Sequence, residues 1–238
     1  MEPFDTSEIN TEIRKHWRKY YSDDEESSFH YWPMQYPDLN KGCFLFVGLN
    51  PSLKEEDKGL FVLESPESLS HKTERKRIID KDEVARGGPN RDEKPCSYPL
   101  CQKVLAEINN QSKYYKSWDY IDPFSNRCPT KDELKNQLGI VGDQEKVSWP
   151  PDGSAAEQLE IFKGLLDSLK PKAVLVANAL ASYILIKEMG LKDNGNGYGF
   201  LTKKTPIFFS GAVLGRHSLD VFSRERLVDQ ITRVVKNL

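Results

Sequence analysis

"CFLFVGLNPS", Cys43–Ser52, decides the fold. Its first residues form an unbroken apolar run, Cys43–Val47, the pattern of a strand buried on both faces. The run ends at Gly48-Leu49-Asn50-Pro51-Ser52. Pro51 fixes its own backbone and biases Asn50 toward an extended conformation, while Gly48 permits close backbone approach. Asn50 then reads in two ways: as a turn residue that caps its own loop, or as an amide held at a strand end because a ligand sits there.

Three further runs resemble the first: Trp118–Ile121 (WDYI), Ala173–Ala177 (AVLVA) and Pro206–Phe209 (PIFF). Between and after them apolar residues recur at helical spacing. One set is Leu100, Val104, Leu105 and Ile108, and another is Leu159, Phe162, Leu165, Leu166 and Leu169. The last is Leu227, Val228, Ile231, Val234 and Val235. Thr130-x-x-Glu133 and Ser154-x-x-Glu157 have the form of capping boxes, which satisfy orphan donors at helix starts. Strands alternating with helices imply βαβ crossovers. The expected fold is α/β, a three-layer α/β/α sandwich around a central, mostly parallel four-stranded sheet.

In such a sheet, ligands bind in the crevice formed by loops after the carboxyl ends of the strands. The expected crevice gathers Gly48–Ser52, Asp122–Arg127, Asn178–Ser182 and Ser210–Asp220. The stretch 53–95 is polar, charged and too long for an ordinary connection, so it reads as an insertion within a domain spanning 41–238. Residues 1–40 read as an N-terminal extension packed on that core. They hold a possible helix from Ile9 to Tyr20, with Ile13 and Trp17 four apart. An acidic run, Asp23–Glu26, and an aromatic cluster of Phe29, Tyr31, Trp32 and Tyr36 follow, the cluster being either core packing or a stacking platform. "DNGNGYG", Asp193–Gly199, reads as a turn-rich loop.

Across 238 residues, 34 Lys and Arg stand against 36 Asp and Glu, a net charge of -2. No global basic field advertises non-specific nucleic-acid binding. The charge is uneven, however. Residues 1–40 carry four basic and nine acidic residues, and residues 199–238 carry seven and three, so a polyanion would meet the C-terminal part first. No apolar run reaches the length of a membrane span and the first residues are acidic and polar, so no membrane contact and a cytoplasmic location are expected. The four cysteines, Cys43, Cys96, Cys101 and Cys128, are scattered, fit no recognised metal-ligand spacing and are expected as reduced thiols without a metal.

The order of these pieces resembles the uracil-DNA glycosylase superfamily. There, a first strand ends in a loop of the type G-x-N-P-G or G-x-D-P-Y, here Gly48-Leu49-Asn50-Pro51-Ser52. A second strand leads to a polar loop, here "DPFSNR", Asp122–Arg127. "LKPKAVLVANALAS", Leu169–Ser182, is similar to the family's Leu-x-Pro-Lys turn, apolar strand and small-residue loop opening a helix. A final strand leads to a loop of the type His-Pro-Ser, here within "GRHSLDVFSRERL", Gly215–Leu227. Ser218 stands directly after His217, where the family has Pro and then Ser.

The resemblance implies excision of a modified or deaminated base such as uracil from DNA. Cleaving an N-glycosidic bond puts cationic character on the sugar and negative charge on the leaving base, so a site needs a held water and donors toward the base. It must also extract the base and grip flanking phosphates. By resemblance, Asn50 works on the water and sugar and His217 donates toward the base carbonyl. Tyr98 or Phe124 would stack on the base, and Asn126 would read its edge. Ser52, Ser210, Arg216, Ser218 and Arg224 would contact phosphates, as would Arg226, although these arginines equally suit a solvated helix face. Asp122 is an acidic group in the same crevice, able to orient water if Asn50 does not. Asn178 stands where many members have glycine. His16, His30 and His71 read as surface or interface histidines. A monomer acting on DNA without a cofactor is implied.

Two other readings stay open. One is a binding module on the same scaffold that recognises a nucleotide or nucleic-acid end without hydrolysis. The other is an unrelated hydrolase in which Ser52 or Ser218 acts with His217 and Asp122 or Asp220. No Gly-x-Ser-x-Gly nucleophile elbow supports the latter, and the absence of Walker and dinucleotide fingerprints counts against an NTPase or dehydrogenase.

Overall fold

A computed structural model describes residues 2–21, 33–36, 39–50, 97–112, 117–128, 130–191, 196–211 and 219–238. At residues 97–100, 102, 111 and 112 it describes the backbone alone. In chain order the elements are β1 (Pro3–Phe4), α1 (Ser7–Tyr21), β2 (Leu39–Asn40), β3 (Phe44–Val47), α2 (Ser97–Ser112) and β4 (Trp118–Ile121). Then come α3 (Lys131–Leu138), α4 (Ser154–Leu169), β5 (Ala173–Val176), α5 (Ala179–Glu188), β6 (Tyr198–Thr202), β7 (Thr205–Phe209) and α6 (Val221–Lys236).

The chain folds as two compact units interleaved in sequence. Unit 1 comprises Met1–Lys41, Gly48–Lys72 and Ile121–Lys170, and unit 2 comprises Gly42–Val47, Thr73–Tyr120 and Pro171–Leu238.

The main sheet has the order β4-β3-β5-β7-β6. Strands β3, β5 and β7 run parallel, Phe44 facing Ala173 and Val174 facing Ile207. Bonds from the Phe44 N–H to the Ser117 carbonyl and from the Gly48 N–H to the Ile121 carbonyl advance in the same sense, so β4 is parallel too. The sheet thus has five strands, not the four expected from the apolar runs. The fifth, β6, is an antiparallel edge strand paired with β7. Its sequence, YGFLT, lacks a continuous apolar run because an edge strand with one open face need not have one. Tyr198 and Gly199, expected in a turn-rich loop, belong to it.

In unit 2, alternate residues of the sheet face α2 and α6. Phe44, Phe46, Ala173, Leu175 and Phe208 share a core with Val104, Ile108, Val228 and Ile231. Their neighbours on the opposite face, Leu45, Val47, Val174, Val176 and Ile207, are equally buried. Burial on both faces is why these strands read as unbroken apolar runs.

In unit 1, α1 lies on α4. Helix α3 starts as its capping box implies, Thr130 Oγ1 accepting from the Glu133 N–H at 3.2 Å. It ends at Gly139, whose φ of 66° is the left-handed cap that favours glycine. The second expected box is different. The cap of α4 is Gly153, without a side-chain bond, and Ser154 is the first helical residue with its hydroxyl turned to other partners. Helix α1 begins at Ser7, two residues before the expected start, and turns His16 inward with Ile13. Of the two placements expected of it, surface or interface, His16 does not take the first: it is buried, at 4% exposure, against α4. Among the described residues, no helix is long and apolar enough to cross a membrane.

Candidate functional site

Asn50 leaves β3 three residues after Val47, and unit 1 pins it. Its amide Nδ2 donates to the carbonyl oxygens of Asn126 at 3.1 Å and Cys128 at 3.2 Å. The Phe124 N–H donates to the Leu49 carbonyl at 3.3 Å. Because only an NH2 group can donate to two carbonyls, the orientation of the amide is fixed. Its oxygen is the acceptor end of the amide. The side chain thus staples its loop to a distant segment of the same unit and does not merely cap its own turn.

A buried polar chain runs on from this staple. Asn126, 1% exposed, accepts at Oδ1 from Gln158 Nε2 at 2.7 Å and donates from Nδ2 to Gln137 Oε1 at 3.2 Å. Gln158 Oε1 accepts from the Ser125 N–H at 2.8 Å and its hydroxyl at 2.9 Å. Gln158 Nε2 also reaches Ser154 Oγ at 3.3 Å. Ser154 Oγ lies 3.0 Å from His16 Nε2 and 2.6 Å from the Tyr21 hydroxyl. His16 Nδ1 faces Glu157 Oε2 at 3.3 Å, and the other oxygen of Glu157 accepts from Lys19 and, at 2.9 Å, from Tyr20.

These bonds assign protons. A carboxylate accepts only, so His16 Nδ1 carries the hydrogen and Nε2 accepts from the Ser154 hydroxyl, which in turn accepts from Tyr21. Burial holds the His16 pKa below that of an ordinary imidazole, and Glu157 only partly opposes it, so the ring is neutral near pH 7. The Lys19 bond to Glu157, against a smaller burial effect, holds that carboxyl below its usual range. A cavity of about 10 Å³, room for a single water, lies beside His16, Tyr36, Asp122 and Gln158. The Tyr36 hydroxyl donates to the Asp122 carbonyl at 2.7 Å, so Tyr36 of the aromatic cluster is an interior packing residue.

The expected crevice residues separate into groups. Unit 1 brings together Asn50, Asp122, Phe124 and Asn126. Phe124 is fully buried and the Asn126 amide is committed to Gln137 and Gln158, so base stacking and base reading by these two require the loop to open. Unit 2 brings Ser210 beside the start of α5. The Ser210 N–H donates to the Val176 carbonyl at 3.0 Å, and Ser182 Oγ donates to the Ser210 carbonyl at 3.2 Å. Asn178 is the N-cap of α5, accepting from the Ala181 N–H at 3.1 Å, which accounts for an amide there. Arg224 pairs with Glu107 of α2 at 3.4 Å, and Asp220 caps α6. Ser52, Arg216, His217 and Ser218 lie outside the described residues, as do Phe29, Tyr31, Trp32, His30, His71 and Cys96. Tyr98 falls in the first turn of α2, its side chain outside the described residues.

Sequence reasoning gave Ser154 a capping role and His16 a surface or interface one, and did not name Gln137 or Gln158; these four side chains form the polar chain that holds the Asn126 loop. The one local signal was Gln158 itself, a polar residue on the apolar face beside Leu159 and Phe162. Burial raises the Cys43 and Cys128 thiols to about 12, with Asp119 and Glu133 adding to it, so both are protonated at neutral pH and unsuited to nucleophilic or ligand chemistry. Among the described residues no cluster of three or more His, Cys, Asp or Glu is placed to hold a metal. No protein-family model matches the chain, and no curated protein matches it.

Proposed function

We propose that the chain is a uracil-DNA-glycosylase-like protein, a three-layer α/β/α domain that takes a modified or deaminated base out of DNA and hydrolyses its N-glycosidic bond. The observation that carries this reading is the clamped amide of Asn50 just beyond β3. A water that donates to the fixed Asn50 oxygen is oriented toward the sugar carbon without being deprotonated, because an amide is no general base. The reaction then depends on leaving-group stabilisation, which by resemblance falls to His217 as donor toward the base carbonyl. Slow turnover is the expected signature. Neither a metal nor a cofactor takes part.

A second reading, binding without hydrolysis, is favoured by one observation: Phe124 and the Asn126 amide, the candidates for gripping a base, are committed to the interior of unit 1. A single-turnover assay at excess protein separates the two. Single- and double-stranded oligonucleotides carrying uracil, hypoxanthine, xanthine or a mismatched thymine are incubated with the wild type, Asn50→Ala and His217→Ala. Base release abolished by both substitutions supports the glycosylase. Binding without release on any substrate, by protein shown to be folded, supports the binding module.

A further inference from the structure

Unit 2 carries a groove of about 730 Å³ between the edge strand β6 and the full length of α6. Its floor is Tyr198 and Phe200, two residues apart and therefore on one face of β6, with ring centroids 5.9 Å apart and edge to face. Phe200 is 42% exposed, an aromatic ring left open to solvent at the rim of a groove. The α6 wall supplies Arg226 and Arg233, seven residues apart and so on one face, about 10 Å apart along the axis. Asn196, Gln230 and Asn237 add amides and Leu227, Val234 and Leu238 add aliphatic surface, and the lining includes no acidic side chain.

We propose that this groove binds a few nucleotides of single-stranded nucleic acid, with bases stacked on Phe200 and Tyr198 and phosphates on Arg226 and Arg233. Stacking on an exposed ring beside a cationic track is how unpaired strands are held without sequence preference. Both arginines are available for exchange. Arg226 Nη2 donates to the Ser223 hydroxyl at 3.1 Å, which in turn donates to the exposed Asp220 carboxylate, so the acidic neighbour stands one hydroxyl away. Arg233 pairs with Asp229 on the exposed helix surface, a contact of small worth that a phosphate can replace. Lys203 and Lys204 are exposed in the turn that follows β6. The uneven charge of the chain, positive over 199–238, is thereby given a place in the fold. An acidic peptide would meet the same charges, but flat rings edged by neutral amides match nucleobases better than carboxylates. The proposal is independent of base excision, because the groove lies wholly on β6, α6 and the residues beside them.

The test is fluorescence anisotropy with a short labelled oligothymidylate that contains no modified base, titrated with the full chain at several salt concentrations. Phe200→Ala is expected to weaken binding about tenfold and Phe200→Trp to restore it. Arg226→Ala with Arg233→Ala is expected to reduce the salt slope by about 1.4, two phosphate contacts on a single strand. Duplex of equal length is expected to show no dependence on Phe200. Oligothymidylate affinity unchanged by both sets of substitutions would overturn the proposal, as would absence of binding at low salt. Equal Phe200-dependent binding of a polyglutamate peptide would reassign the groove to acidic partners. Asn50→Ala is expected to leave these affinities intact, so failure of excision and failure of the groove are told apart.

Discussion

The interior of unit 2 is closed by rings and aliphatic side chains, Phe44, Phe46 and Phe208 packed with residues of α2 and α6, whereas unit 1 buries, beside apolar residues such as Phe124, Leu134 and Phe162, a polar group of Ser125, Asn126, Ser154, Gln158 and His16. An apolar core gains from burial whatever the fine geometry. A polar one is stable only when every group finds its partner, and each lost partner leaves a desolvated group behind. The polar interior is also the one attached to Asn50. Unit 2 is thus held chiefly by apolar burial, and unit 1 holds a loop whose shape depends on directional bonds.

That contrast can be broken by substitution. The largest effect is expected at Phe46→Ala, which empties the fully buried centre of unit 2 and costs about 3–5 kcal/mol in chemical denaturation. Gln158→Leu keeps volume but strips partners from the Ser125 N–H and Asn126 Oδ1, an expected loss of about 2–4 kcal/mol. If Gln158→Leu proved neutral, the polar interior would be tolerant and the contrast empty. Asn50→Asp turns a donor into an acceptor facing two carbonyls, with an expected loss of about 1–3 kcal/mol at neutral pH. That loss should shrink in thermal melts as pH falls far enough to protonate the new carboxyl.

The smallest effect concerns pH. His16 has a folded pKa below its unfolded value of 6.5, because burial disfavours the imidazolium. The unfolded chain then binds more protons, so stability is complete above about pH 6.5 and declines as pH falls through the folded pKa. His16→Gln should flatten this limb in melts across that window. An unchanged slope would assign the decline to other groups, Glu157 among them, whose own loss begins only below the ordinary carboxylate pKa of 4.5.

The frame was legible in the sequence for a physical reason: a strand covered on both faces must be apolar throughout, so CFLFV, AVLVA and PIFF announce themselves. Even the edge strand β4, half-buried in alternation, was placed at Trp118–Ile121. Strand β6 escaped because its aromatics alternate with glycine and its outer face is open. In unit 1, Thr130 and Glu133 are three apart and their bond is local, so that cap could be read. Ser154 looks the same in sequence, yet its hydroxyl is drawn to His16, 138 residues away. Asn50 was placed correctly just beyond a strand end, but its clamp onto the carbonyls of Asn126 and Cys128 was not, because no residue type marks a main-chain carbonyl in advance.

The interleaving of the two units carries a consequence for how the protein is made. Strand β3 is synthesised early, yet its partner β5 follows 129 residues later, Phe44 facing Ala173. The other neighbour, β4, arrives sooner, Phe44 bonding to Ser117, but until β5 follows one edge of the FLFV segment has no strand to pair with. Pairings so distant in sequence form slowly, because chain closure precedes any reward. Expression yield in cells should therefore respond more to lower growth temperature and to chaperone supply than to stabilising substitutions in α1 or α3, which contribute no strand to the sheet.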